Sequence, residues 1–276
     1  MFGIFLAWLG SFFEEISSVV GKKKLAKKEE DTFVFFFLQC LACLVTFAVL
    51  ILIFPKEFQF SWAALPIMSV RIVLEIFQFY VSIMALRLAD RSSFAFIRSG
   101  TIPLLLIVDL IIGYQISNWQ IAGVLGLFLM ILLAFRQKVI RGKGLKYMLI
   151  STVNSVLTIS LYKFSISNYN SVAAEQLIVI AVMLVFAQIM CTIRGQNPWK
   201  FLLKKDYIIQ SGSYALGSMI ESFAYMYSAA SVLTAVKRAS AVFWGTLSGI
   251  WIFREQKARQ KLWVAGVIMV MLVVLV

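Results

Sequence analysis

Residues Ala85–Gln115, ALRLADRSSFAFIRSGTIPLLLIVDLIIGYQ, align without a gap on residues Tyr225–Glu255, YMYSAASVLTAVKRASAVFWGTLSGIWIFRE, at an offset of 140. Ala85 falls on Tyr225, Asp90 on Ala230, Arg98 on Arg238 and Gln115 on Glu255. An arginine in the middle of an apolar helix is costly and rare, so two in register predict a duplicated membrane unit. The same offset lays Lys23 on Lys163 and Glu14 on Asn154. The copy keeps the polar centre of the first helix and loses its charge.

Outward from that pair, the composition excludes an ordinary soluble domain: 61% of residues are hydrophobic, against roughly 45–50% in soluble proteins. Ten apolar runs recur, near residues 2–20, 32–54, 62–86, 92–113, 119–135, 147–166, 171–193, 207–229, 231–252 and 260–276. Most approach the roughly 20 residues that cross about 30 Å of hydrocarbon. The expectation is an all-α integral membrane protein with ten transmembrane helices in two five-helix repeats, residues 1–137 and 138–276. Five crossings per repeat turn the second over relative to the first, making them inverted repeats. The first run has no basic segment before it and no small-residue cleavage site after it, so it reads as a membrane helix rather than a cleaved signal peptide.

The net charge of +13 is placed in alternate loops. Lys22, Lys23, Lys24, Lys27 and Lys28 follow the first run, Arg87 and Arg91 the third, and Arg136, Lys138, Arg141, Lys143 and Lys146 the fifth. Arg194, Lys200, Lys204 and Lys205 follow the seventh, and Arg254, Lys257, Arg259 and Lys261 the ninth, while Lys56 stands alone in the intervening loops. The positive-inside rule then predicts a multi-pass protein of the plasma (inner) membrane with both termini extracytoplasmic. The same placement accounts for the charge without a nucleic-acid partner.

Ionisable groups inside such runs are candidate site residues. Glu14 and Glu15 point about 100° apart on a helix, so the expectation is that at least one lines a cavity, where it titrates or binds a cation. The alternatives are that both snorkel or that one pairs with another helix. Ser18 extends that polar face. In the third run Arg71, Glu75 and Gln78 share a face at i, i+4 and i+7, and Arg71 can pair with Glu75. That pair is either a packing device or one for which a substrate or proton competes, and Tyr80 adds an aromatic wall if it turns inward. Arg98 precedes Pro103 by about one turn, which makes Pro103 a candidate hinge. Asn154 and Tyr162 in the sixth run are candidate cavity-lining residues. Glu221 in the eighth run and Lys237 and Arg238 in the ninth complete the candidate binding set.

The second and seventh runs read as apolar, lipid-facing walls, with Glu175 at the outer start of the latter. Cys40 and Cys43 read as small packing residues, and Gly245 and Gly249 form a GxxxG spacing that is common by chance in membrane helices. There is no histidine. No nucleophile or metal-ligand cluster emerges, so the sequence predicts no metal, no cofactor and no enzyme activity.

With FIRSGTIPLLLIVDLIIGYQ and VKRASAVFWGTLSGIWIFREQ each followed by a last, Gly-containing helix, the chain resembles the EamA-type proteins of the drug/metabolite transporter superfamily. Those proteins commonly carry a Gly-Glu pair after the fourth and ninth helices. Here Arg254 precedes Glu255, and Gln115 stands where the first glutamate would be. The first run, with Lys22 eight residues after Glu14, is similar to the small multidrug resistance branch. That resemblance implies a proton or cation site at Glu14 in preference to Glu15.

Deep acids and deep cations occur in similar number, which suits a zwitterion. The expected function is alternating-access transport of a small polar or zwitterionic metabolite, such as an amino acid, by export or exchange, with protons as a coupling ion. Export of cationic amphiphiles, flipping of a lipid-linked substrate and a non-transporting membrane scaffold are the alternatives. The expected partners are the small-molecule substrate, protons and the lipid bilayer, with the protein a monomer or homodimer.

Overall fold

A computed structural model describes residues 2–26, 32–112, 118–136, 144–227 and 230–274. The helices are α1 (Phe2–Ala26), α2 (Thr32–Ile53), α3 (Leu65–Leu88), α4 (Arg91–Ser99), α5 (Thr101–Ile112), α6 (Asn118–Arg136), α7 (Leu145–Asn168), α8 (Val172–Ile193), α9 (Lys205–Tyr227), α10 (Ala230–Trp251) and α11 (Ala258–Val274). Short 3₁₀ turns lie at Pro55–Glu57, Trp62–Ala64 and Pro198–Phe201. No strand occurs among the described residues. Among the described residues, six segments are long and apolar enough to cross a membrane: Phe2–Lys24, Thr32–Ile53, Trp62–Leu88, Arg91–Val108, Leu145–Asn168 and Val172–Ile193. The protein is therefore all-helical, with several helices suited to a bilayer. Gln115, Lys27, Lys28, Lys138, Arg141 and Lys143 lie outside the described residues, as does the side chain of Asp109.

The fourth apolar run is divided between α4 and α5, with Gly100 between them. Pro103 has no N–H to offer the Ser99 carbonyl, so the hydrogen-bond ladder fails there. As the third residue of α5, its missing donor is one that a helix start leaves unpaired anyway. Neighbouring carbonyls find other donors: Ser99 Oγ donates to Phe96 O at 2.5 Å, Thr101 Oγ1 to Arg98 O at 2.8 Å, and Gly100 N to Ile97 O at 3.0 Å.

The chain forms two compact units. Unit 1 comprises residues 1–12, 81–156 and 224–276, and unit 2 comprises residues 13–80 and 157–223. The division falls within α1, α3, α7 and α9, so each unit draws on both sequence halves, 1–137 and 138–276.

Unit 1 is built on α10, which packs along α4 and α11, while α11 packs on α6. Its core includes Phe94, Phe96, Ile97, Ile102, Met148, Val242, Val264 and Ile268. The start of α1 is joined to α10 through aromatic rings: Trp8 and Phe12 lie 5.8 and 5.1 Å from the Trp244 ring.

Unit 2 is built on α2 packed along α8. The sequence predicts α2 as a lipid-facing wall, and its first half corrects that expectation. Every residue from Phe33 to Cys40 is buried, and only the second half is open, with Leu52 79% exposed. The phenylalanine run is held by other rings. Phe36 stacks on Phe79 at 3.8 Å, Phe35 meets Tyr207 at 5.3 Å, and Phe37 meets Trp199 edge-on at 5.0 Å. Such ring pairs contribute about 0.5–1.5 kcal/mol each beyond the area they bury. An all-round apolar helix satisfies protein neighbours as well as lipid, so its own sequence does not distinguish them.

One end of unit 2 is closed by paired loops. Ser171 N donates to Gln59 O at 2.9 Å, Gln59 N to Ser171 Oγ at 3.1 Å, and Ser61 N to Asn170 Oδ1 at 2.9 Å.

Candidate functional site

Unit 2 holds a seam of polar side chains along α9. Gln210, Tyr214, Ser218 and Glu221 fall within a sector of about 80° on that helix, and the stretch from Gln210 to Ser222 rises about 18 Å. Three levels of contact follow it.

At the first level, near the start of α9, Ser17 Oγ accepts from Gln39 Nε2 at 3.5 Å and from Gln210 Nε2 at 3.2 Å. Ser17, Gln39 and Gln210 are all buried. Lys24 Nζ pairs with Asp206 at 2.6 Å beyond this level.

At the second level Ser218 lies in hydrogen-bond reach of the Cys43 thiol, and the charge of Glu14 bears on Cys43 and Tyr214. Glu75 is near enough to bear on Tyr214 and Cys40. Glu14 and Glu75 are partly exposed, whereas Glu15 is 7% exposed. Both cysteines are buried free thiols. Cys43 therefore packs against the polar seam, which its reading as a small packing residue does not anticipate.

The third level is a buried ion pair. Arg71 Nη1 donates to Glu175 Oε1 at 2.7 Å, and Nη2 to Gln176 Oε1 at 3.3 Å. The Arg71 guanidinium lies 4.4 Å from the centre of the Tyr162 ring. Gln176 Nε2 continues to Ser222 Oγ at 3.0 Å, and Tyr162 OH donates to Ser222 O at 3.4 Å. Glu175 is completely buried. Its other oxygen accepts from Ser165 Oγ at 2.7 Å and Asn170 Nδ2 at 2.6 Å.

This level extends one expectation and corrects another. Arg71 does meet Glu75, but at 3.6 Å with Glu75 26% exposed, and its close carboxylate is Glu175. A buried guanidinium is served better by an acid fixed by two further donors than by a flexible side chain one turn away. The start of α8 is accordingly protein-facing. Ser171, the α8 N-cap, accepts from Ala174 N at 3.3 Å. The one sequence signal for Glu175 is an acid just inside a capped helix start, where it also suits the helix dipole.

The other candidates are distributed as follows. Gln78 and Glu221 are buried in unit 2, where Ser18 is half-buried. Tyr80 is 39% exposed and stacks on Phe33 at 6.5 Å. Asn154 and Arg238 are buried in unit 1, and Lys237 is half-buried there, with Ser11 Oγ donating to its carbonyl at 3.4 Å. Arg98 is half-buried in unit 1. Its Nη2 donates to Ser155 Oγ at 3.0 Å, and its guanidinium lies 5.4 Å from the Phe94 ring centre. The two arginines found in register thus belong to the same unit.

Unit 1 also holds a charge cluster at the start of α4. Glu255 Oε1 accepts from Arg91 N and Oε2 from Ser92 Oγ, both at 2.5 Å, and Lys261 Nζ donates to Oε2 at 2.7 Å. Lys261 Nζ also reaches Asp90 Oδ2 at 3.0 Å, with the lysine side chain 2% exposed. Burial pushes the Glu255 carboxyl up. The hydrogen bonds from Lys261 and Ser92, the Lys261 charge and the Arg91 N–H outweigh it and hold the carboxyl below its ordinary range. One of the GxxxG glycines, Gly249, makes room for this cluster, and the other lies against α4. A Cβ on Gly249 would stand 2.7 Å from Glu255 Oε2, and one on Gly245 would stand 3.2 Å from Ala95 Cβ.

No group of three or more His, Cys, Asp or Glu side chains is arranged to hold a metal ion among the described residues. No family model matches the sequence, and no curated protein matches it.

Proposed function

We propose that this chain is a membrane transporter that moves a small polar or zwitterionic metabolite, such as an amino acid, by alternating access, and exports it in exchange for protons. The observation that carries the reading is the polar seam of unit 2, in which Glu14, Glu75 and Tyr214 lie near the middle of α1, α3 and α9 and both carboxylates act electrostatically on Tyr214. Ionisable groups at such depth are expensive, and a polar path for a solute is a reason to keep them. In this reading α4 and α5 form one crossing, giving ten. Residues 1–137 and 138–276 are the inverted repeats, the basic loops face the cytoplasm, and both termini are outside. The resemblance to EamA-type proteins points the same way.

Carriage of an organic cation is the second reading. Among the ionisable groups set inside its helices, away from the basic ends, unit 2 has Glu14, Glu15, Glu75, Glu175 and Glu221 beside Arg71 and Lys163, and Arg71 is already engaged by Glu175. An acidic seam favours a positively charged solute.

Both readings are tested in proteoliposomes loaded with amino acids and cationic dyes, with and without a pH gradient, comparing wild type with Glu14→Gln. Gradient-driven amino-acid movement that the variant loses is the expected result, and dye movement alone would select the cation reading. Transport that survives Glu14→Gln would remove Glu14 from the mechanism. Failure of every compound to move would overturn both readings.

A further inference from the structure

Helix α4 is held in a way that its own sequence does not explain. Asp90 stands at its N-cap position, but its side chain makes no capping hydrogen bond and is drawn instead to Lys261. The cap comes from Glu255, 164 residues away, which takes both the Arg91 N–H and the Ser92 hydroxyl. The other end of α4 stops at Gly100, where the Ser99 and Thr101 hydroxyls and the Gly100 N–H already serve the carbonyls at the break. That end is tied to α7 as well. Thr152 Oγ1 donates to Ile97 O at 3.3 Å, and Arg98 donates to Ser155. A nine-residue helix thus has a ready-made pivot at one end and a distant side chain closing the other.

The closing turn carries strain. Arg254 and Lys257, on either side of Glu255, are the non-glycine residues at positive φ among the described residues, at 50° and 60°. Side chains other than Gly, Asn and Asp enter that region at a steric cost, so the turn persists because the contacts it makes compensate. Where α4 lies on α10, a Cβ on Gly245 would stand 3.2 Å from Ala95 Cβ and 3.7 Å from the Arg91 carbonyl oxygen, so the two helices approach closely there.

We infer that Glu255 is a releasable clamp on α4, and that α4 is an arm that swings about Gly100 and carries Arg98 at its pivot end. The carboxylate holds the arm closed through Arg91 and Ser92, and Lys261 keeps the carboxylate charged and aimed. Opening exchanges the two capping bonds for water and relaxes the 254–257 turn. The arm is specific to one half of the chain, because the residue in register with Glu255 is the uncharged Gln115.

The test is hydrogen–deuterium exchange of the full-length protein in lipid nanodiscs, read by mass spectrometry, with wild type beside Glu255→Gln. That substitution keeps the shape of the side chain and removes its charge. The expected result is faster exchange confined to residues 91–99, by roughly ten- to a hundredfold, the worth of one charge-assisted hydrogen bond. Protection in α10, α11 and unit 2 should be unchanged. Ser92→Ala removes a single capping contact and should raise exchange in the same residues by less, which keeps the inference testable if the charge variant does not fold. Exchange that rises evenly through unit 1 would make Glu255 an ordinary part of the fold. Exchange unchanged at 91–99 in both variants would show that Glu255 does not hold α4, and either result overturns the inference.

Discussion

Replacing Glu175 by alanine should be among the most damaging single changes in unit 2. The wild-type carboxylate accepts from Arg71, Ser165 and Asn170 at 2.6–2.7 Å with no solvent contact. Alanine strands a guanidinium whose side chain is 4% exposed, leaving it Gln176 at 3.3 Å and Glu75 at 3.6 Å. Removing one partner of a buried pair costs about 3–5 kcal/mol, which is between about a hundred- and a few-thousandfold in the unfolding constant. Glu175→Gln should cost less, since the amide still accepts one bond and can donate another. The assay is reversible unfolding in mixed detergent, followed by helical circular dichroism, for Glu175→Ala, Arg71→Met and the pair combined. If the damage comes from the stranded charge, the double variant loses well under the sum of the single losses. A loss below about 1 kcal/mol for Glu175→Ala, or single losses that add fully, would refute this account of the Arg71 site.

Two further predictions concern unit 1. A Cβ at Gly144 would stand 2.8 Å from Ala89 Cβ and 2.9 Å from its backbone nitrogen, whereas one at Gly126 would meet the mobile end of Met271. Gly144→Ala should therefore lower the melting temperature clearly, by the roughly 1–3 kcal/mol typical of overpacking against a rigid neighbour, and Gly126→Ala should lower it little. The pH dependence follows from Glu255, which accepts from Lys261, Ser92 and the Arg91 N–H, with Asp90 on the same lysine. Its folded pKa is held below the unfolded value of 4.5, so its contribution to stability is complete above that pH and fades as pH falls through the folded value. Melting temperatures measured across the acid range, from about pH 7 to about pH 3, should show a component of destabilisation that Glu255→Gln lacks. A variant with the same acid limb as wild type would remove Glu255 as its source.

What the sequence displays and what it hides divide along one physical line. Helix positions are readable because an apolar run of membrane length bounded by lysines admits few other structures, and α1, α2, α3, α7 and α8 follow that pattern. The break at Gly100 is half-readable: Pro103 marks where a ladder bond fails, but the hydroxyls of Ser99 and Thr101 decide that the helix parts three residues earlier. Pairings are readable only when both partners lie on one helix. Arg71 and Glu75 are visible as an i, i+4 pair, while Glu175, 104 residues away, supplies the shorter bond. The same holds for Glu255, whose place in a repeated turn is legible and whose grip on α4 is not. In water a buried face is betrayed by its contrast with a polar one, but in a bilayer lipid and protein neighbours are equally apolar, and the contrast vanishes. That is why the Phe33–Phe37 run reads as a lipid-facing surface. What remains informative is the expensive residue. A charge deep in such a helix implies a compensating group somewhere; for Arg71 that group is Glu175, whose identity the folded chain supplies and the sequence does not.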